Sequence, residues 1–273
     1  MTAMPPGDTN QPRYRVVGVI HLPPLPGTAL GPSATGLPAI LDHARRDAAA
    51  WAEGGADALI VENFGDVPFR QGPAGPETIA AMTLAVSAVI AESGLPVGVN
   101  VLRNDVESAV AVAAMCGGAF VRANVYVGAA VTDQGIIEGR AHAVQALIRR
   151  LASPVAVWAD IDVKHAAQLA PRAAGELAED AVKRGLAQSL IVTGPGTGHP
   201  TNPDDLRAVR EAMPSTPLYI GSGATPETLP SLLAIADGAI IGTGAKSDAN
   251  PANPVEVERV RALVAAAAGV STH

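Results

Sequence analysis

The chain has 273 residues, 48% hydrophobic, 16% charged and only 3% aromatic, with a net charge of −7. With no dense Lys/Arg run to reverse it, that charge argues against a nucleic-acid partner, which needs a basic face. Charges interrupt every apolar stretch before the ~18 residues of a membrane span, so no membrane insertion is expected. The single cysteine, Cys116 in "AVAAMCGG", cannot form an internal disulfide; it reads as a packing residue and suits a reducing cytoplasm.

The first thirteen residues, "MTAMPPGDTNQPR", lack the basic start and apolar stretch of a signal peptide and read as a disordered polar arm (1–13) before one domain (14–269). From there β-branched runs alternate with Ala/Leu-rich segments. Strands are predicted at 15–22, 57–63, 96–102, 119–127, 154–162, 188–194, 217–223 and 237–244. Helices are predicted near 37–54, 76–93, 105–116, 134–151, 166–184, 203–213, 226–235 and 254–268. Asn202-Pro203-Asp204-Asp205 and Thr225-Pro226-Glu227 are helix-start signals, and Gly94, Gly117 and Gly185 stand where left-handed C-terminal caps belong.

Eight β-then-α units imply a parallel sheet, and continuously apolar strands are those covered on both faces. The simplest closure is a single (β/α)8 barrel, which takes about 250 residues. A doubly wound open sheet is the competing arrangement.

"ALIVEN" is an apolar strand that ends abruptly in Glu62 and Asn63, and the pattern recurs in "VGVNV", "VRANV", "VWADID" and "LIVTG". In a barrel these ends share the C-terminal face, where active sites lie. His21, Glu62, Asn100, Arg122, Asn124, Asp160, Asp162 and Thr193 therefore converge there from six strands. Residues two apart share a side, so Asp160 and Asp162 form one pair and Arg122 and Asn124 another. The two aspartates are candidates for acid/base chemistry. They also fit as ligands of a divalent cation, or one of them as the structural ion-pair partner of Arg122. Glu62 is a further catalytic acid, or one that acts through a neighbouring residue, while Asp66 reads as a turn former and Asn104 or Asp105 as a helix cap. His21, Asn100, Arg122, Asn124 and Thr193 suit substrate contact, and His21 equally suits a structural hydrogen bond. Lys164 also suits substrate contact, as a Schiff-base former or a plain loop lysine. His165 and His199 lack a second ligand at useful spacing, and neither H-E-x-x-H nor C-x-x-C occurs, so no firm zinc site is expected.

Three glycine loops follow the last strands: "TGPGTGHPT", which suits a lid, then "GSGATPE" and "GTGAK". Glycine lets backbone N–H groups approach an anion, and the loops after strands seven and eight of barrels frequently bind phosphate. Gly196, Gly221, Ser222, Gly223, Gly242, Thr243 and Gly244 are the candidates. No P-loop and no complete G-x-G-x-x-G is present.

Together "VGVIHLPPLPGT", "GADALIVENFGDVPF", "VGVNVLRNDVESAVAVA", "FVRANVYVGAAVTDQGIIEGRA", "ADIDVKHA", "VTGPGTGHPT", "GSGATPE" and "ADGAIIGTGAK" resemble the BtpA/SgcQ family, in order from about Arg15 to Ala268. The resemblance implies a barrel of the ribulose-phosphate-binding type. The family name carries a photosystem I biogenesis role, and some members carry a nucleoside-triphosphatase label that the missing P-loop does not support here. The leading expectation is a cytoplasmic enzyme on a phosphorylated sugar or phosphoribosyl-type molecule, with isomerase- or lyase-type acid/base chemistry at Asp160, Asp162 and Glu62. The alternatives are a hydrolase of an N-glycosidic or phosphate bond, with or without a divalent cation, and a non-catalytic assembly factor. A homo-oligomer is left open.

Overall fold

The computed structural model describes residues 12–161, 166–194 and 200–269. Eight parallel strands close into a barrel in chain order: β1 (Val16–His21), β2 (Ala58–Glu62), β3 (Val97–Asn100), β4 (Phe120–Ala123), β5 (Ala156–Asp160), β6 (Ser189–Val192), β7 (Leu218–Ile220) and β8 (Gly238–Ile241), with β8 pairing back to β1. The helices between them are α1 (Leu37–Gly54), α2 (Pro76–Ser93), α3 (Val106–Cys116), α4 (Ala141–Arg150), α5 (Ala174–Glu179), α6 (Pro203–Ala212), α7 (Leu229–Leu232) and α8 (Val257–Ala268). A closed barrel of this order replaces the open-sheet alternative.

The strands are apolar throughout because each has two buried faces. Val17, Val19, Ala58, Ile60, Phe120, Ala156, Trp158, Ile191, Tyr219 and Ile240 pack with one another inside the barrel. Their sequence neighbours, such as Ile20, Leu59, Val99, Val121 and Val157, join the larger core that includes the helices. Period-two alternation thus separates two apolar layers instead of an apolar and a wet face.

Aromatic residues are few, and four of the eight fill the barrel's lower half. The rings of Phe120 and Trp158 stack at 3.8 Å, those of Trp158 and Tyr219 at 4.2 Å, and Tyr14 leans on the stack from below, 6.0 Å from Trp158. Gly98 makes room for this plug: a Cβ there would lie 2.2 Å from Phe120 Cε2. The barrel is therefore a packed core at one end and open only at the other.

Local signals fared unevenly. The Asn202 side chain accepts a hydrogen bond from Asp204 N (3.0 Å), and Asp105 caps α3 by accepting from Ser108 N (3.1 Å). Gly94 and Gly117 adopt positive φ, +63° and +77°. Gly185 does not; its φ is −87°, and it is Leu186 that turns left-handed at +62°. Gly185 is present for space, since a Cβ would come within 2.7 Å of the Tyr126 ring, whose hydroxyl donates to the Gly185 carbonyl.

The predicted helix at 134–151 begins only at Ala141. Before it, Ala129–Thr132 and Gly135–Glu138 form an antiparallel hairpin, turning through Gly135 at φ +101°. A third short strand, Ala166–Gln168, pairs with that hairpin where the beginning of a helix over 166–184 was predicted. This small sheet joins the segments after β4 and β5. Around the seventh unit, Thr225 and Thr228 cap a turn with their side chains, which delays α7 to Leu229.

Candidate active site

The inward-facing residues at the upper ends of the strands form one ring. In parallel register His21 pairs with Glu62 and Glu62 with Asn100. Continuing the β3–β4 register (Val99 with Val121) brings Arg122 level with Asn100. Asp160, Thr193, Gly221 and Gly242 occupy the corresponding inward places at the ends of β5 to β8. Side chains that bond or ionise thus take the six successive places from β1 to β6, and glycines take the two at the ends of β7 and β8. Above the ring opens a cavity of about 490 Å³, with Val19 and Ile240 of the barrel interior as its floor.

Arg122 organises the polar part. Its Nη1 lies 3.2 Å from Glu62 Oε1, and its Nε and Nη2 donate to the Asp160 carboxylate at 3.2 to 3.3 Å. Asn124 Nδ2 donates to Asp160 Oδ2 at 2.7 Å, and Asn100 Nδ2 to Glu62 Oε1 at 2.9 Å. Burial by itself pulls the Arg122 pKa down, but the two carboxylates together outweigh it and hold the pKa above its usual value. The cation is permanent, and its partners are fixed.

Glu62 and Asp160 are not equivalent in this network. Glu62, Asn100, Arg122 and Asn124 border the cavity, as does His21, whose ring packs on Phe64 at 4.6 Å. The Asp160 side chain is wholly covered, with both oxygens engaged by Arg122 and Asn124. Of the sequence alternatives for Asp160, the ion pair with Arg122 is the one the geometry forms. Asp162 and Lys164, like His165, Gly196 and His199, lie outside the described residues. Among the described residues no group of three or more His, Cys, Asp or Glu is placed to hold a metal.

The glycine part is built from backbone. Gly221, Ser222, Gly223, Gly242, Thr243 and Gly244 all border the cavity. Gly223 has φ +67°, a conformation that favours glycine. At Gly242 a Cβ would lie 2.6 Å from His21 Cε1, so a side chain there would displace the histidine. Thr193 stands behind the loop, outside the cavity lining; a Cβ on Gly221 would meet its Cγ2 at 2.3 Å. The Ser222 hydroxyl accepts from Gly194 N (2.7 Å), and Thr201 Oγ1 donates to the Ser222 carbonyl (3.1 Å), tying the loops after β6 and β7 together.

Lys246, at the end of "GTGAK", turns away from the mouth. It is buried, 3.3 Å from Asp47 of α1, and donates to the Pro251 carbonyl at 2.8 Å. Burial lowers its pKa, against the opposing pull of Asp47. It anchors the loop after β8 to the outer helices. After β2, on the far side of β1, Asp66 is the predicted turn former: it accepts from Leu25 N (2.7 Å) and Asn63 Nδ2 (2.9 Å), while Asn63 accepts from Leu102 N (2.7 Å). Three loops of the mouth are stapled by this pair.

The structure adds residues that strand-tip reasoning passes over. Phe64, Val67 and Phe69 after β2, Leu102 and Arg103 after β3, and Asp133 at the hairpin turn all border the cavity. Arg103 is the most consequential, a buried cation 9% exposed. Its signal was a charged residue directly following a strand in "NVLRND". Cys116 is half-buried, with its Sγ on the Thr83 carbonyl (3.4 Å) and its thiol pKa pushed up by burial, consistent with a packing role. No helix among the described residues is long and apolar enough to cross a membrane.

A plugged (β/α)8 barrel with an ionic network and glycine loops at its C-terminal mouth defines a protein of the TIM-barrel class. Solved barrels of similar fold include phosphoribosyl anthranilate isomerase from Thermus thermophilus, with TM-score 0.56 and 17% identity over 93% of this chain and 98% of that one. Another is 2-keto-3-deoxy-6-phospho-gluconate aldolase from Zymomonas mobilis, with TM-score 0.53, 14% identity and 94% of each chain covered. These likenesses concern fold alone. The chain belongs to the BtpA family, which it matches over residues 13–269. It is 41% identical to the photosystem I biogenesis protein BtpA of a Synechocystis strain, covering 95% of this chain and 90% of the relative. An uncharacterised protein of Thermococcus kodakarensis is 43% identical over 92% of this chain and 94% of its own length.

Proposed function

We propose that this barrel is an enzyme that binds a phosphorylated sugar or phosphoribosyl-type molecule and moves protons on it, in isomerase- or lyase-type chemistry. The observation that carries the reading is the division of the upper ring. A carboxylate, two amides and a guanidinium face the cavity from β2 to β4, and bare glycine backbone faces it from β7 and β8. The phosphate rests on the backbone of Gly221 to Gly223 and Gly242 to Gly244, where four glycines leave the main chain open to it beside Ser222 and Thr243. The sugar portion then extends over Val19 and Ile240 toward Glu62.

Glu62 is the proton carrier. Asn100 and Arg122 both hold its Oε1, which fixes the carboxylate at the cavity edge, and fixed geometry is what general acid–base catalysis requires. Glu62 takes a proton from the carbon next to a carbonyl and returns it to a neighbouring atom. The amide of Asn124 and the Arg122 guanidinium lie beside it to stabilise the oxygen on which negative charge develops. Asp160 works through Arg122 and Asn124, and is a positioning residue.

The test is proton exchange. In D2O, a panel of aldose and ketose phosphates is incubated with the protein and followed by NMR. Deuterium should enter at the carbon adjacent to the carbonyl of a bound member, and Glu62→Gln should slow this at least a hundredfold. The name of the Synechocystis relative favours a second reading, an assembly factor that keeps the barrel without the reaction. Tight phosphosugar binding with no exchange in any member of the panel would favour that reading.

A further inference from the structure

Beyond its polar ring the cavity has an apolar lip. Phe64, Val67 and Phe69 from the segment after β2 border it, together with Leu102, two residues past Asn100 of β3. In a closed ring of eight strands β3 lies opposite β7, so Leu102 stands across the opening from the loop Gly221 to Gly223. Glu62 and Asn100 end the two strands from which the lip rises. We infer that the lip is a subsite for an aromatic ring, and that the ligand is a sugar phosphate carrying that ring as a substituent at the end remote from its phosphate.

Single exposed apolar side chains are ordinary, but a group of them in one concave site is not. Val67 is 43% exposed, and Phe64, Phe69 and Leu102 are half-buried. The chain has only three phenylalanines; Phe120 belongs to the barrel plug, and the other two both stand here. A bare sugar phosphate gains little from these side chains, because hydroxyl groups laid against them lose water without finding partners. An aromatic ring gains the buried area, and with it the edge-to-face or offset contacts that phenylalanine offers.

The lip is held in place before any ligand arrives. Gly65 N donates to the Leu22 carbonyl (3.0 Å), Leu25 N to Asp66 (2.7 Å) and Leu102 N to Asn63 (2.7 Å), the last two acceptors being buried side chains. The Phe64 ring packs on that of His21 at 4.6 Å. Apolar side chains kept in contact with water by a fixed main chain form a preorganised site, which loses little freedom when a ligand covers it.

The inference rests on the phosphate site proposed at the glycine loops, and calorimetric titration separates the two. Methyl, cyclohexyl and phenyl ribofuranoside 5-phosphates, each as both anomers, share phosphate and sugar and differ only in the group at the remote carbon. In one anomeric series the phenyl compound should bind at least tenfold more tightly than the methyl and at least threefold more tightly than the cyclohexyl. Phe69→Ala should cut the phenyl-to-methyl ratio below threefold, and Phe69→Tyr, which keeps the ring, should preserve it. Val67→Asp, at an exposed position, should cut the ratio likewise and serves if Phe69→Ala does not fold; thermal melts report folding of each variant. A phenyl compound less than tenfold better than the methyl, a cyclohexyl compound as good as the phenyl, or a ratio unchanged in the folded variants overturns the inference alone. So does failure of every glycoside while inorganic phosphate binds. Failure of the glycosides and of inorganic phosphate together overturns the phosphate site, and the inference with it.

Discussion

Arg122 and Asp160 face each other across adjacent strands with the carboxylate entirely out of solvent, joined by Nε and Nη2 at 3.2 to 3.3 Å. A buried ion pair of this kind costs several kcal/mol per ion to desolvate, and only the full set of partners recovers it. Here the set is complete: Glu62 and Asn124 supply the remaining contacts. Arg122→Met leaves two carboxylates uncompensated and should destabilise the protein by about 3–5 kcal/mol. Combining it with Asp160→Asn should cost clearly less than the two single effects added, because the second change removes one of the stranded charges. Urea denaturation of the four proteins measures this coupling.

Two glycines separate stability from binding. Gly98→Ala drives a methyl group into the Phe120 ring, and should cost about 1–3 kcal/mol of stability with phosphate affinity unchanged. Gly242→Ala drives one into His21 at the mouth, and should weaken phosphate binding at least tenfold. Thermal melts and phosphate titrations of both variants check the pairing. Equal loss of binding in both would mean that the loop after β8 plays no special part.

Tyr126 sets an alkaline limit. Its buried hydroxyl donates to the Gly185 carbonyl and accepts from Gln145 Nε2 (2.9 Å), and burial pushes its pKa up to about 12 from 10.0. The folded value lies above the unfolded one, so the stabilisation is complete below pH 10. It disappears as pH rises to about 12, where the unfolded chain has already lost its proton. A two-unit shift corresponds to about 3 kcal/mol. Tyr126→Phe should lower stability at pH 8 through the lost hydrogen bonds, and should flatten the decline between pH 10 and 12. Urea unfolding across that range is the measurement.

Much of the site was legible because barrel geometry converts a one-dimensional sign into a place. Strands that end in Glu62, Asn100, Arg122 or Asp160 after an apolar run must bring those side chains to one rim, and period-two alternation turns them inward. What remained illegible was chemistry set by partners. The sequence left Asp160 open between proton carrier, cation ligand and ion-pair partner, and could not foretell that Arg122 and Asn124 would both bond its oxygens. Arg103 lies past the end of β3, where alternation no longer assigns a direction. The second strand of the hairpin, Gly135–Glu138, fell inside the helix predicted near 134–151, and the first, Ala129–Thr132, was assigned to no element, because apolar residues obscured the turn at Asp133-Gln134-Gly135. Gly185 was assigned to a left-handed cap when its purpose is to let Tyr126 approach, a tertiary demand that no local rule contains.

The central claim is that the two parts of the upper ring serve one ligand, with phosphate on the glycine side. A crystal structure with a bound sugar phosphate tests it most directly. The account predicts phosphate density against the backbone of Gly221–Gly223 and Gly242–Gly244, with the carbon skeleton reaching toward Glu62. Phosphate bound at the opposite end of the barrel, near Tyr14, or held on an outer surface away from both glycine loops would contradict it.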